Sequence, residues 1–411
     1  MVARRAAREK WRFETRFRRG ALGWRGTATG VQHLKEAVTE IARVARQDPI
    51  RAAEGAVHLI GRVSPAFANV DSSSGSLGAA VNRTIERLVP IVATPAADDT
   101  LRAGWLDRLW AAYADDDMGY LDSVGDRWGD FCTSVAMASG WADRLLPGLR
   151  ASFAQPRGSG SYFHGKLACL SALLKAERHA ELLGVLESAQ FAWWPQRRFG
   201  FAALVAQGRR ADALRYAEAS REGTHNADFA IARACEELLL QSGRADEAYA
   251  RYAIEASGYE STYLARFRAL AKRYPTKDPA VLLSDLVTAT PGSEGKWFAA
   301  AKSAGLFESA IALANASPTD PKTLTRAARD FIADQPTFAM EAALAALRWF
   351  GAGYGFDVTS LDVIEAYDCG ARAAKQLEQS AAFAARTRET LAGADRFVRD
   401  ALRLRLADSK P

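Results

Sequence analysis

The 411-residue chain is poor in cysteine and histidine and has no long apolar run. Its four cysteines, Cys132, Cys169, Cys235 and Cys369, stand 37, 66 and 134 residues apart, with no C-x-x-C and no Cys/His cluster. That spacing points neither to a disulfide framework nor to a structural zinc site. The five histidines (His33, His58, His164, His179, His225) are scattered, and neither H-E-x-x-H nor G-x-S-x-G occurs. The usual signatures of metallohydrolases and serine hydrolases are therefore missing. No catalytic residue, cofactor or metal ligand is assigned, and an enzyme is the lesser expectation, although residues far apart in sequence can still converge in a fold. The greasiest stretch, Phe338 to Phe356, is broken by Glu341 and Arg348, short of the roughly 18 apolar residues a membrane span needs. No membrane association is expected, and a cytoplasmic location is the default.

Charge is present but unevenly placed. Residues 1–25 hold nine basic residues against Glu9 and Glu14, a balance of +7, so with a net charge of +6 the rest of the chain sums to −1. This arm has no apolar core and no small-residue cleavage site, so it does not read as a secretory signal. It interleaves Trp11, Phe13, Phe17 and Trp24 with its cations. Arg4, Arg5, Arg8, Lys10, Arg12, Arg16, Arg18 and Arg19 are candidate nucleic-acid contacts, because clustered cations release condensed counterions and aromatic rings stack on bases. The aromatic spacing is also helical, and docking of the arm on the body is the favoured reading.

Strand signals are scarce, and nearly every segment carries apolar residues three and four apart, which predicts an all-α protein. Helices are expected over 31–46, 49–63, 77–92, 100–114 and 125–146. Asp48-Pro49, Asp278-Pro279 and Asp320-Pro321 read as helix starts, since aspartate accepts from first-turn amides and proline at the first helical position forfeits no hydrogen bond.

A repeat sets in from about residue 163. Glu177 to Leu183, Gly208 to Leu214, Gly243 to Tyr249 and Gly305 to Ile311 align, with anchors 31, 35 and 62 residues apart, the last being twice 31. A degenerate unit from Tyr259 to Leu286 fills the wide gap. Each block ends one helix, turns, and restarts with a small or apolar pair at +5 and +6. Such hairpins cannot bury their apolar faces alone and stack on neighbours. The pattern resembles tetratricopeptide repeats, whose turn reads Gly-x-x-x-x-Ala-Leu, although the aromatic signature of the first helix is mostly missing. The expected architecture is an α-solenoid of TPR-like hairpins preceded by an N-terminal helical domain. Its parts are a basic arm (1–25), a helical domain (26–146), a Gly/Ser/Pro linker (147–165), repeats (166–350) and two capping helices (351–411).

The front half carries a second likeness. Phe13-x-x-x-Phe17-Arg18-Arg19, then Val70 to Gly75, Trp105 to Trp110 and Asp115 to Tyr120, in that order, resemble a bacterial domain of unknown function that follows SWIM zinc fingers and precedes TPR-like helices. The finger's C-x-C and C-x-H are absent here, so no nucleic-acid role passes over from it, and the domain has no catalytic residues to transfer.

Two further motifs invite chemistry. Gly160 to Lys166 fits G-x-x-x-x-G-K, but Leu167 stands where a phosphate-binding loop needs a hydroxyl, and no strand precedes it; a linker is expected. Ten aspartates lie between Asp98 and Asp143 and could attract a hard cation, the basis of a third reading as a metal-dependent enzyme. Asp115 to Asp117 are expected to form a solvated helix end, since aspartate favours caps and turns. Trp193, Trp194, Arg197 and Arg198, between two hairpins, are candidate partner contacts, with packing between repeats as the favoured alternative. The leading functional reading is a non-enzymatic scaffold that holds another protein on its repeat surface within a larger assembly; a homo-oligomer is open.

Overall fold

The computed structural model describes residues 10–155, 163–191, 193–221 and 227–407. Among the described residues it is all-helical, without a β-strand, and no helix is long and apolar enough to cross a membrane. The chain divides into two compact units, residues 1–225 and 226–411. That division falls inside the stretch 166–350 that the sequence groups as one array.

Unit 1 begins with a 3-10 turn, Arg12–Thr15, and continues with α1 (Thr27–Ala45), α2 (Pro49–Phe67), α3 (Ser76–Ala93) and α4 (Asp99–Ala114). Helices α1, α2 and α3 pack mutually, and α4 lies on α2. The expected helix over 125–146 is instead three pieces: α5 (Asp122–Asp126), α6 (Trp128–Cys132) and α7 (Val135–Ala154). The break comes at Thr133, with φ of 62°, and Ser134 restarts the chain by accepting from the Met137 amide at 3.2 Å. Helix α7 then runs through Pro147, past the expected start of the linker, because Leu145, Leu146, Leu149 and Phe153 are all buried along it. Three indoles knit this region: Trp128 lies 5.6 Å from Trp110 and 4.7 Å from Trp141. The unit closes with α8 (Lys166–Lys175), α9 (His179–Glu187), α10 (Trp194–Ala206) and α11 (Arg210–Ala219).

Unit 2 holds α12 (Asp228–Gln241), α13 (Ala245–Ala248), a π turn (Tyr249–Ala253), α14 (Ile254–Ala256), α15 (Tyr263–Arg273), α16 (Pro279–Thr288), α17 (Phe298–Ser303) and α18 (Phe307–Ala316). It ends with α19 (Pro321–Asp330), α20 (Pro336–Gly351), α21 (Ser360–Gln376), α22 (Ser380–Thr390) and α23 (Arg396–Ala407). Helix α20 carries a run of buried alanines that lets α19 and α21 approach it closely. The C-terminal region contains three helices where two were expected, since Glu378 adopts φ of 58° and turns the chain after α21.

The aligned anchors share one backbone device. Glu177, Gly208, Gly243 and Gly305 have φ of 58°, 74°, 72° and 75°. In each case the following amide reaches five residues back: Arg178 N to the Leu173 carbonyl at 3.1 Å, Arg209 to Leu204 at 2.9 Å, Arg244 to Leu239 at 2.9 Å and Leu306 to Ala301 at 3.0 Å. This is the Schellman closure, which satisfies the orphan carbonyls of a helix end. The +5 residues Leu182, Ala213, Ala248 and Ala310 are all fully buried, as the close approach of two helices requires. The two helices of each hairpin touch, α8 with α9 and α10 with α11 in unit 1, and α15 with α16 and α17 with α18 in unit 2; α9 also meets α10, and α15 and α16 meet α17. The three Asp-Pro starts are capped: Asp48, Asp278 and Asp320 accept from Arg51, Ala280 and Thr323 amides at 2.9, 2.8 and 3.0 Å.

Candidate partner-binding cleft

Unit 1 carries an open cleft of about 960 Å³ whose walls come from α3, α5, α6, the start of α7, α8, α9 and α10. Its floor depends on a close helix approach. A Cβ on Gly129 would lie 2.5 Å from the Ser171 carbonyl oxygen and 2.6 Å from Lys175 Cβ, so only glycine lets α6 lie against α8. Ser171 ties the two: its hydroxyl accepts from the Gly129 amide at 3.0 Å and donates to the Asp126 carbonyl at 2.9 Å. With both contacts to backbone and no basic group on it, this hydroxyl is a structural bridge rather than an activated nucleophile.

Charge lines the walls in both signs. Arg198 on α10 pairs with the Asp126 carboxylate on α5, and Arg127 pairs with Asp130 at 3.1 Å. Burial pushes the Asp126 carboxyl above its ordinary range, while Arg198 and Arg127 pull the other way. Burial likewise raises Asp122. Lys175, Glu86 and Glu177 add further charge, His179 adds a polar ring, and Val135, Leu174, Phe199 and Ala202 supply apolar wall. Arg198 and Asp126 keep 38% and 31% of their side chains in solvent, so their pair can open to a competing carboxylate or guanidinium. The arrangement suits an elongated ligand of alternating polarity.

Of the four sequence-proposed partner contacts, the structure brings Arg198 alone into the cleft. Trp193 is 49% exposed, near Phe191 in the chain, which is 57% exposed. Trp194 is buried and lies edge-on to Phe201 at 5.9 Å, so it serves packing. Arg197 donates to Ser220 at 2.8 Å with its guanidinium 4.1 Å over Tyr216, also inside the unit. Sequence reasoning missed Ser171, Lys175 and Glu86; the glycines at 125 and 129, four apart on either side of Asp126, were the signal of a close helix crossing.

The arm is docked. Phe13 and Phe17 are buried, and Trp11 stacks on Phe13 at 5.6 Å and presses on the Cα of Gly55. The Arg12 amide donates to Glu40 at 3.0 Å, and Arg16 pairs with Glu36. Lys10, Arg12, Arg16, Arg18 and Arg19 stay exposed; Arg4, Arg5 and Arg8 lie outside the described residues.

The aspartates disperse. Asp98 caps α4, Asp107 pairs with Arg144 at 3.3 Å, and Asp143 pairs with Arg178 at 2.6 Å. Asp116, expected in solvent, is buried, accepting from the Ser64 hydroxyl and the Leu121 amide at 2.6 Å each and from the Met118 amide at 3.3 Å; three converging donors do for this carboxylate what water would otherwise have to do. Among the described residues no cluster of His, Cys, Asp and Glu is placed to hold a metal ion. In the G-x-x-x-x-G-K segment, Gly160 to Tyr162 lie outside the described residues, Gly165 makes room for Phe163 and Trp110, and Lys166 opens α8. Comparisons with family models, curated proteins and solved structures gave no match to this chain.

Proposed function

We propose that the chain is a non-enzymatic helical-repeat adaptor of TPR-like hairpins, which holds an extended segment of a partner protein in the cleft of unit 1 as one subunit of a larger assembly. The observation that carries this reading is the recurrent Schellman turn with its buried +5 residue at four aligned anchors. Hairpins built alike stack through their apolar faces and leave a groove whose lining is free to vary. The cleft adds a binding character: a half-exposed arginine pair flanked by apolar wall is the kind of surface on which arginine and aromatic anchors concentrate affinity.

The test is a photo-crosslinking amino acid placed at Ala202 in the native host, with Val281 of unit 2 as the control site. One partner protein captured at Ala202, absent at Val281 and lost when Ala206→Arg fills the cleft, is the expected result. The same proteins captured at both sites, or capture unaffected by Ala206→Arg, would sink the reading. Capture of a second copy of this chain at Ala202 would identify the partner as itself.

A further inference from the structure

We infer that the docked N-terminal segment and α1 together form a composite site for the phosphate backbone of single-stranded nucleic acid, with Trp24 as its stacking platform. The inference stands apart from the partner cleft and uses a different surface of unit 1.

Charge is the first argument. Residues 10–46 hold nine cations (Lys10, Arg12, Arg16, Arg18, Arg19, Arg25, Lys35, Arg43, Arg46) against Glu14, Glu36 and Glu40, a balance of +6. That equals the net charge of the whole chain, so the remainder sums to zero. Docking turns this sequence bias into a surface. A cleft of about 640 Å³ lies between the arm and α1, lined by Arg12, Arg16, Lys35 and Arg43 with Glu36 and Glu40. Both carboxylates are already engaged in holding the arm. Glu40 accepts the Arg12 amide at 3.0 Å, and Glu36 is shared by Arg16 and by Gln32, whose amide donates at 2.8 Å. Lys35 and Arg43 are exposed, and among the described residues neither head group is paired. They sit eight residues apart, with Thr39 midway, along one edge of α1, a row of about 12 Å at 1.5 Å per residue. Such a row can contact successive phosphates.

The second argument selects the class of polyanion. Phe13 and Phe17 are buried and cannot stack on a base or insert into lipid. Trp24 is 69% exposed, although its carbonyl is fixed by the Asp71 amide at 2.9 Å. This solvent-facing indole, on a backbone tied to Asp71 and next to Arg25 in the chain, offers a π face to an unpaired base. Seven of the nine cations are arginine, whose planar fork matches phosphate better than a lysine point charge does. An anionic membrane would instead require several exposed apolar side chains here.

The experiment uses the full chain and a fluorescein-labelled oligo-dT, read by fluorescence anisotropy across a salt series. Wild type is expected to bind with affinity that falls steeply as salt rises. Lys35→Ala with Arg43→Ala should flatten the log–log salt slope by about 1.4, at about 0.7 per lost contact on a single strand. Trp24→Ala should weaken binding by about tenfold while leaving the slope unchanged, since stacking carries no counterion term. Far-ultraviolet circular dichroism and retained wild-type affinity in Arg403→Ala, on unit 2, control for folding and for non-specific charge. An unchanged slope in the double variant, no loss in Trp24→Ala, or no binding at low salt would overturn the inference. So would tighter binding of polyglutamate or phosphatidylserine vesicles than of oligo-dT.

Discussion

Among the arginine–carboxylate pairs that join helices within each unit, two sit in opposite surroundings. In unit 1 Arg198 meets Asp126 at the lip of the cleft, with about a third of each side chain in water. In unit 2 Arg273 meets Glu236, whose side chain is fully buried while that of Arg273 is 18% exposed. Tyr274 donates to the same carboxylate at 2.8 Å. Burial raises the Glu236 carboxyl, and Tyr274 and Arg273 oppose that rise. Identical chemistry therefore does different work. The sealed pair fixes how α15 and its following turn sit on α12, and the open pair can exchange partners.

The sharpest way to break this comparison is to remove each arginine in turn. Arg273→Ala strands a buried charge and should destabilise unit 2 by about 3–5 kcal/mol. Arg198→Ala should cost unit 1 at most about 1 kcal/mol, since water takes over from a half-exposed partner. Cysteine labelling during denaturant titration separates the two. Cys132 and Cys169 report unit 1, and Cys235 and Cys369 report unit 2, with all four buried in the native chain. Burial pushes the Cys132 and Cys169 thiols up to about 12, so they stay unreactive until their unit opens. Equal shifts of the two pairs of thiols would erase the distinction.

The same variant gives a signed pH dependence. A carboxyl raised in the folded state favours folding when protonated, so that stability is full below its unfolded value and is lost as pH rises through its folded value. Removing Arg273 takes away an influence that lowers Glu236 and lifts it further. The Arg273→Ala deficit should thus be smallest in acid and grow toward neutral pH, and Glu236→Gln in that background should remove the dependence. A deficit that is flat with pH would show that lost packing, not a stranded charge, is responsible.

Next in size is a pair of tight glycines. A Cβ at Gly129 in unit 1 meets the backbone oxygen of Ser171 at 2.5 Å, whereas one at Gly370 in unit 2 meets the ring of Phe383 at 2.5 Å and Ala343 Cβ at 2.8 Å. Backbone yields less than a ring, so Gly129→Ala should cost about 2–3 kcal/mol and Gly370→Ala about 1–2 kcal/mol, within the overpacking range. Thermal unfolding of both variants checks the order; a reversed order would mean that α6 shifts on α8 more easily than Phe383 turns.

What the sequence made legible follows from local chemistry. The Asp-Pro caps and the glycine turns are decided within a few residues, and they read correctly. Thr133 and Asp116 did not, because their roles depend on groups distant in the chain, and for Arg197 and Arg198 packing and partner contact were both open. Arg197 and Arg198 are neighbours on α10, yet a helix turns about 100° per residue, so one reaches Tyr216 and the other Asp126. Nothing in the two-residue sequence says which. Asp116 is buried because Ser64, 52 residues earlier, and the Leu121 amide converge on it, and an acidic run carries no mark of that. Of the cleft, Arg198 was visible beforehand, whereas Ser171 and Lys175 needed α6 laid on α8.

The smallest effect tests the shared turn itself. Glu177 in unit 1 and Glu378 in unit 2 adopt φ of 58° at the position where Gly208, Gly243 and Gly305 stand in other hairpins. A side chain in this left-handed region costs about 1–2 kcal/mol, partly offset because glycine gives the unfolded chain more freedom, by about 0.5–1 kcal/mol. Glu177→Gly and Glu378→Gly should each stabilise their own unit by about 0.5–1 kcal/mol, and Gly208→Ala should destabilise unit 1 by a similar amount. Both glutamates are exposed, so no buried contact is lost. If the turn is one construction used twice, the two gains match, each confined to the thiols of its own unit. A gain in one unit and a loss in the other would mean that the Schellman closure is incidental in the second, and that the common +5 burial, rather than the turn, is what makes these hairpins alike.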